Sequence, residues 1–179
     1  MLKLEYKEKL ALKIKEKLDL KNVNAVPIIE KIVINAGIGN LKDNKNAVKS
    51  YIEDLTVITG QKPSPRAAKT AISNFKLRQG EVIGLMVTLR GDSMWAFLEK
   101  LINVVFPRIR EFDGVSDKAF DDNGNYNFGI KDHTVFPEID TNRVDMIKNF
   151  QITIVTSTKD NNEARTLLEE IGMPFKKKQ

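Results

Sequence analysis

Ile83-Gly84-Leu85-Met86-Val87-Thr88-Leu89-Arg90 decides how this chain folds. Large aliphatic side chains fill Ile83, Leu85, Val87 and Leu89, and the residues between them are small or polar. Successive side chains of a strand point to opposite faces, so a strict period of two predicts a half-buried strand. Such a strand needs neighbours with the same alternation. Glu30-Lys31-Ile32-Val33-Ile34-Asn35 reads as one, rich in β-branched residues and ended by Gly37 and Gly39. Phe150 to Val155 reads as another, with Phe150, Ile152 and Ile154 on one side and Gln151, Thr153 and Val155 on the other.

Helical patterns lie between and beyond these strands. Tyr6, Leu10, Ile14 and Leu18 recur every four residues, which predicts an amphipathic helix over 2–20. Asn44 to Thr59 carries Val48, Ile52, Leu55, Val57 and Ile58 and closes on Gly60. A third helix starts at Gly91-Asp92-Ser93, with Asp92 or Ser93 expected as side-chain acceptor. Trp95, Leu98, Leu101, Ile102 and Val105 form its stripe, and Pro107 is expected to end it. The last helix runs from Asp160 to Ile171, where Asp160 and Glu163 have capping-box spacing and Gly172 follows.

Two stretches remain. Gln61 to Gly80 is basic and reads as a long exposed hairpin or loop. Residues 108–143 are rich in Asp, Asn, Gly and Pro, and a loop that long is expected to carry function or short strands. If the basic hairpin supplies one strand, the order is β-α-β-β-α-β plus a helix. That predicts an α+β fold: an antiparallel sheet with helices on one face, a ferredoxin-like split βαβ core, an N-terminal helix and a long insertion. All 179 residues suit one domain.

The alternation then says what is left uncovered. With Ile32, Ile34, Ile83, Leu85, Val87, Leu89, Ile152 and Ile154 toward the helices, the open face carries Lys31, Val33 and Asn35 from one strand. It carries Gly84, Met86, Thr88 and Arg90 from another, and Gln151, Thr153, Val155 and Ser157 from the last. Small, hydroxyl, amide and cationic groups of this kind can meet phosphates and ribose hydroxyls. The competing reading is an ordinary solvent-facing sheet. Lys62, Arg66, Lys69, Lys76 and Arg78 surround Phe75 in the basic loop, a set that can neutralise phosphates and stack on an unpaired base. There the competing reading folds Phe75 back into the core.

Composition agrees with a polyanionic partner. Lys and Arg number 29 against 24 Asp and Glu, a net charge of +5, and the isoelectric point is near 9.3. No cysteine is present, which excludes disulfides, thiolate metal sites and cysteine catalysis, and the single His133 leaves little for a catalytic triad. No signal peptide or membrane span is legible, so the cytosol is the expected compartment and no membrane partner is expected.

Chemistry-bearing motifs mostly fail on spacing. Gly37-Ile38-Gly39 lacks the third glycine of a dinucleotide fingerprint, Lys42 standing in its place, and reads as a turn with positive φ or a backbone nest for phosphate. Asp121, Asn123 and Asn125 begin a calcium loop that Tyr126 and Asp132 do not complete. Asn123-Gly124 reads instead as a two-residue hairpin turn. Asp113, Asp117, Asp121 and Asp122 raise the alternative of a metal-dependent phosphodiesterase on an α+β core. No P-loop, no nucleophile elbow and no RRM consensus is present.

At the level of long runs the chain resembles bacterial large-subunit ribosomal protein L-five. The runs are Pro27 to Gly39, Thr59-Gly60-Gln61-Lys62-Pro63, Phe75 to Gly80 with Val87 to Gly91, Phe106-Pro107-Arg108-Ile109-Arg110, and Gly124 through Asp140. This resemblance implies a non-enzymatic protein of the ribosome's central protuberance, with no cofactor, metal or small-molecule substrate. Its partners would be 5S rRNA, 23S rRNA, the peptidyl-site tRNA and a small-subunit head protein. Carried onto this chain, the rRNA surface would be Asn35, Gly37, Gly39, Gln61, Thr88, Arg90 and Ser157, with Lys31 and Lys62 beside them. The tRNA contact would be Arg66, Lys69, Phe75 and Arg78. The intersubunit bridge would fall in the insertion, at Arg110, Asp113 and Arg143. After Pro63 the family carries a denser cationic run than Ser64 to Ala71 provides, and Pro65 stiffens the segment.

Overall fold

Residues 2–41, 44–141 and 146–176 are described in a computed structural model of the chain. Arg143, Lys177 and Lys178 lie outside these residues.

Five strands form one antiparallel sheet: β1 (Ile29–Gly37), β2 (Ser64–Ala67), β3 (Val82–Leu89), β4 (Tyr126–Ile130) and β5 (Phe150–Thr156), in the order β2-β3-β1-β5-β4. Without β4 this is the split βαβ order expected from the alternation. The basic stretch supplies β2, and the long insertion supplies β4 as a fifth, edge strand. Pro65 sits in β2, which pairs only with β3, so its missing N–H costs no bond in the sheet interior.

The helical segments are α1 (Leu2–Glu5), α2 (Ala11–Lys17), α3 (Lys45–Thr59), α4 (Gly91–Lys100), α5 (Phe106–Arg108) and α6 (Asn161–Ile171). A wide π-type turn at Tyr6–Leu10 joins α1 to α2, and another at Leu101–Val105 joins α4 to α5. The first helix stops at Lys17, short of the expected Leu20, because Asp19 takes a left-handed conformation at φ +49°. Pro107 lies inside the last short turn, α5, rather than before it.

The chain divides into two compact units: residues 1–32, 89–128 and 153–179, and residues 33–88 and 129–152. In the first, Tyr6, Leu10 and Ile14 are buried, as their spacing predicts. The Tyr6 hydroxyl donates to the Pro27 carbonyl at 2.8 Å. Lys3 pairs with Asp92, and Lys17 with Glu170. Met94, Phe97, Leu98, Leu101, Val105 and Phe106 are sealed from solvent, whereas Trp95 and Ile102 are only half-buried. Each such aliphatic side chain contributes about 1.5–3 kcal/mol by leaving water. Asp92 caps nothing; its carboxylate is taken by Lys3, and Arg90 precedes α4 without a side-chain cap.

The insertion is largely built onto this unit. Phe106 stacks on Phe112, and Phe120 meets Tyr126 with ring centroids 4.7 Å apart. Val115 pairs with Phe175, and Arg165 stands over the Phe175 ring. The tip differs from a two-residue turn. Asp121 N donates to Asn125 O at 2.9 Å, enclosing Asp122, Asn123 and Gly124, and only Gly124 has positive φ. The Asp121 carboxylate accepts from both Asn123 N and Asn125 N, which favours this longer loop. The capping box of α6 is also not formed. Asp160 accepts from Asn162 N, and Glu163 accepts from the Thr158 hydroxyl instead of the Asp160 N–H.

In the second unit, Tyr51, Leu55 and Ile58 of α3 are buried, while Val57 is exposed on its outer side. Asn44 caps the helix by accepting from Ala47 N at 3.1 Å, and Gly60 at φ +70° ends it, as expected.

Candidate nucleic-acid interface

In the second unit the alternation of β1 and β3 is realised in burial. Ile34, Ala36, Leu85 and Val87 are sealed, while Asn35 and Gly37 are exposed and Gly84, Met86 and Thr88 half-buried. Arg66 belongs to this face. It pairs across β2–β3 with Gly84, and residues directly opposite share a face. A Cβ at Gly84 would stand 3.8 Å from the Arg66 Cβ, so the glycine leaves room for the arginine stem. The Arg66 Nη2 lies 3.7 Å from the Met86 Sδ. Sequence reasoning grouped Arg66 with the loop, because the register that places it on the sheet is not legible before pairing.

Gly37 and Gly39 are both exposed, and a Cβ at either would meet nothing within 4 Å. Neither has positive φ, so the expected left-handed turn is absent. Ile38 between them is tied by its N–H to the Ile83 carbonyl at 2.9 Å, and Gly39 opens a short 3-10 turn that runs to Leu41. What the two glycines provide is a bare backbone surface. Gln61 and Lys62 are exposed just past Gly60.

The basic loop is folded rather than loose. Ile72 and Leu77 exchange backbone hydrogen bonds at 3.0 and 3.1 Å, and Gly80 N donates to Ala68 O at 3.0 Å. Arg78 N donates to the Glu81 carboxylate at 3.1 Å. From this frame Lys69 and Arg78 are exposed, and Phe75 is 74% exposed. The reading that returned Phe75 to the core is overturned: the 3-10 turn Ser73–Phe75 and the left-handed Lys76 after it hold the ring outward.

In the first unit Arg90 and Ser157 are exposed and Lys31 half-buried. Ser157 is fixed at the end of β5, its hydroxyl accepting from Ile28 N and its N–H donating to Ile28 O, both at 3.0 Å. The Thr153 hydroxyl donates to the Asn127 side-chain oxygen at 2.7 Å, so β4 adds Asn127 beside the hydroxyls of β5. Sequence reasoning missed Asn127, although Tyr126, Phe128 and Ile130 alternate around it. Arg110 and Asp113 are exposed on the insertion.

Asp121, considered as a metal ligand, is committed elsewhere. Burial raises its pKa, but hydrogen bonds from the Asn125 side chain and the Asn125 and Asn123 N–H groups outweigh that and hold it below the usual value. Among the described residues no three His, Asp or Glu side chains are grouped to hold a metal ion. His133, the single histidine, is fully buried in the second unit with Asp54 and Lys148. Only the tertiary structure brings those three together.

A family model described as "Ribosomal protein L5" matches residues 22–78, and a second, describing the C-terminus of the same ribosomal family, matches residues 82–175. The chain is 50% identical over 171 residues to "Large ribosomal subunit protein uL5" of Halothermothrix orenii, covering 96% of both chains. It is 49% identical over 177 residues to "Large ribosomal subunit protein uL5c" of Mesostigma viride, covering 99% of this chain and 96% of that one. It is 47% identical over 176 residues to the uL5 protein of Corynebacterium diphtheriae, covering 98% and 94%. All three relatives are named as proteins of the large ribosomal subunit, and the phosphodiesterase alternative has no support. No helix among the described residues is long and apolar enough to cross a membrane. The chain is an RNA-binding, non-enzymatic component of the large ribosomal subunit, a member of the ribosomal protein L5 family.

Proposed function

We propose that this chain binds 5S rRNA and helps attach it, with 23S rRNA, to the central protuberance. The observation that carries this reading is the one-sided burial of β1 and β3, which leaves Asn35, Gly37 and Thr88 reachable beside Arg66. In the second unit the rRNA contacts would be Asn35, Gly37, Gly39, Gln61, Lys62 and Thr88. In the first they would be Lys31, Arg90 and Ser157. Glycines admit a sugar-phosphate backbone closely, amide and hydroxyl groups bond it, and cations neutralise it.

The folded loop supports a second contact, with the peptidyl-site tRNA, through Lys69, Phe75 and Arg78 and with Arg66 at its base. A ring 74% exposed on a closed hairpin offers a stacking platform with little ordering cost. Arg110 and Asp113, with Arg143, are the candidate contacts to a small-subunit head protein.

The test is a binding titration of the full chain with 5S rRNA against an unrelated small RNA of equal length. Preference for 5S rRNA, with an affinity that falls steeply as salt rises, is the expected result. Equal affinity for both RNAs overturns the assignment.

A further inference from the structure

Two residues 15 apart in the chain, His133 and Lys148, bond each other through backbone and ring. His133 N donates to the Lys148 carbonyl at 3.1 Å, and Lys148 N donates back to His133 Nδ1 at 3.3 Å. Both side chains are buried, and Lys148 Nζ reaches across to α3, where it bonds the Ser50 hydroxyl at 2.9 Å and the Asp54 carboxylate. The Tyr51 ring lies under the ammonium, 5.4 Å away, and its hydroxyl donates to the Asn149 carbonyl.

This geometry specifies a tautomer. Because Nδ1 accepts, the neutral ring carries its proton on Nε2, which is buried and faces Asp54 Oδ2 at 3.5 Å without forming a hydrogen bond. The cluster therefore holds one anion and one cation, Asp54 and Lys148, with a neutral imidazole between. A second ring proton must go to Nδ1. There it meets the Lys148 N–H head-on, donor against donor, and places a second cation beside the Lys148 ammonium. The carboxylates of Asp54 and Asp132, the latter 3.8 Å from Nδ1, oppose this partly.

We propose that the His133–Lys148 pair is a proton-operated clasp: neutral His133 keeps Lys148 seated on α3, and a proton on Nδ1 unseats it. The inference stands apart from the RNA-binding reading. It assigns a conformational role to a cluster that includes none of the proposed RNA contacts.

The test is amide hydrogen exchange of the full chain at about pH 7.5 and about pH 5.0, each amide normalised to its intrinsic rate. The imidazole carbon resonance is followed in parallel. We expect protection at His133 and Lys148 to fall by at least about tenfold at the lower pH, with a midpoint matching that of the imidazole. In His133→Asn the amide oxygen can still accept from Lys148 N but cannot be protonated, so protection should not vary with pH. Unchanged wild-type protection overturns the clasp, whether or not the imidazole titrates. So does a midpoint that differs from the imidazole's, or an equal pH-dependent loss in His133→Asn. If that variant does not fold, the two wild-type midpoints decide alone.

Discussion

Gly124 packs its α-carbon against the backbone of Thr158 so closely that a Cβ there would stand 2.3 Å from the Thr158 carbonyl oxygen. The Thr156 hydroxyl donates to the Gly124 carbonyl at 2.8 Å, so the tip of the insertion is moored to the end of β5 from both sides. Gly124 also has φ +73°, a conformation that side chains disfavour. Gly124→Ala combines both penalties and should destabilise the protein by about 2–4 kcal/mol in urea unfolding. A loss under about 1 kcal/mol would mean that the tip is not held against β5.

Gly37→Ala and Gly39→Ala provide the contrast. Neither meets a neighbour or a positive φ, so stability should change by less than about 0.5 kcal/mol. If the bare strand end contacts rRNA, each should nonetheless weaken 5S rRNA binding, measured by mobility shift. Intact folding with intact binding would move the contact away from these glycines.

Arg90→Ala should weaken 5S rRNA binding by about 1–3 kcal/mol by removing a charge-assisted contact. Its side chain is exposed and forms no cap for α4, so thermal unfolding should not change. Unchanged affinity would place the rRNA contact elsewhere.

Phe75→Ala removes a ring that contributes little to the fold at 74% exposure, so stability should hold within about 0.5 kcal/mol. Affinity for tRNA should drop by about 1–3 kcal/mol, the range for losing one stacked base. Equal tRNA affinity for the variant and the wild type would remove Phe75 from that contact.

Stability should depend on pH through His133. Burial, first, and the Lys148 ammonium lower its pKa below the usual 6.5, against the pull of Asp54 and Asp132. As pH falls, the unfolded chain therefore takes up the proton before the folded one. The contribution of His133 is complete above about pH 6.5 and is lost below it. Urea unfolding at about pH 7.5 and 5.0 should show a larger acid loss for the wild type than for His133→Asn. Equal losses would mean that His133 titrates normally in the folded protein.

Much of the architecture was legible in the order of residues, because it depends on local periodicity. Ile83 to Arg90 alternates so strictly that Leu85, Val87 and Leu89 could be named as buried without neighbours, though Ile83 at the strand's start is only half-buried; Ile32, Ile34, Ile152 and Ile154 are buried as expected. Asn44 and Gly60 mark the ends of α3 because capping is a short-range contest for unpaired backbone groups. Where a capping group had a rival partner the reading failed: Asp92 goes to the distant Lys3, and Glu163 to the nearby Thr158 hydroxyl. Tertiary structure alone decided what depends on pairing across long separations. It placed Arg66 over Gly84, added β4 and Asn127 to the sheet, and enclosed His133 with Asp54 and Lys148. Local sequence sets which faces of an element shed water, whereas the partner that meets each face is chosen by packing and charge burial summed over the whole fold.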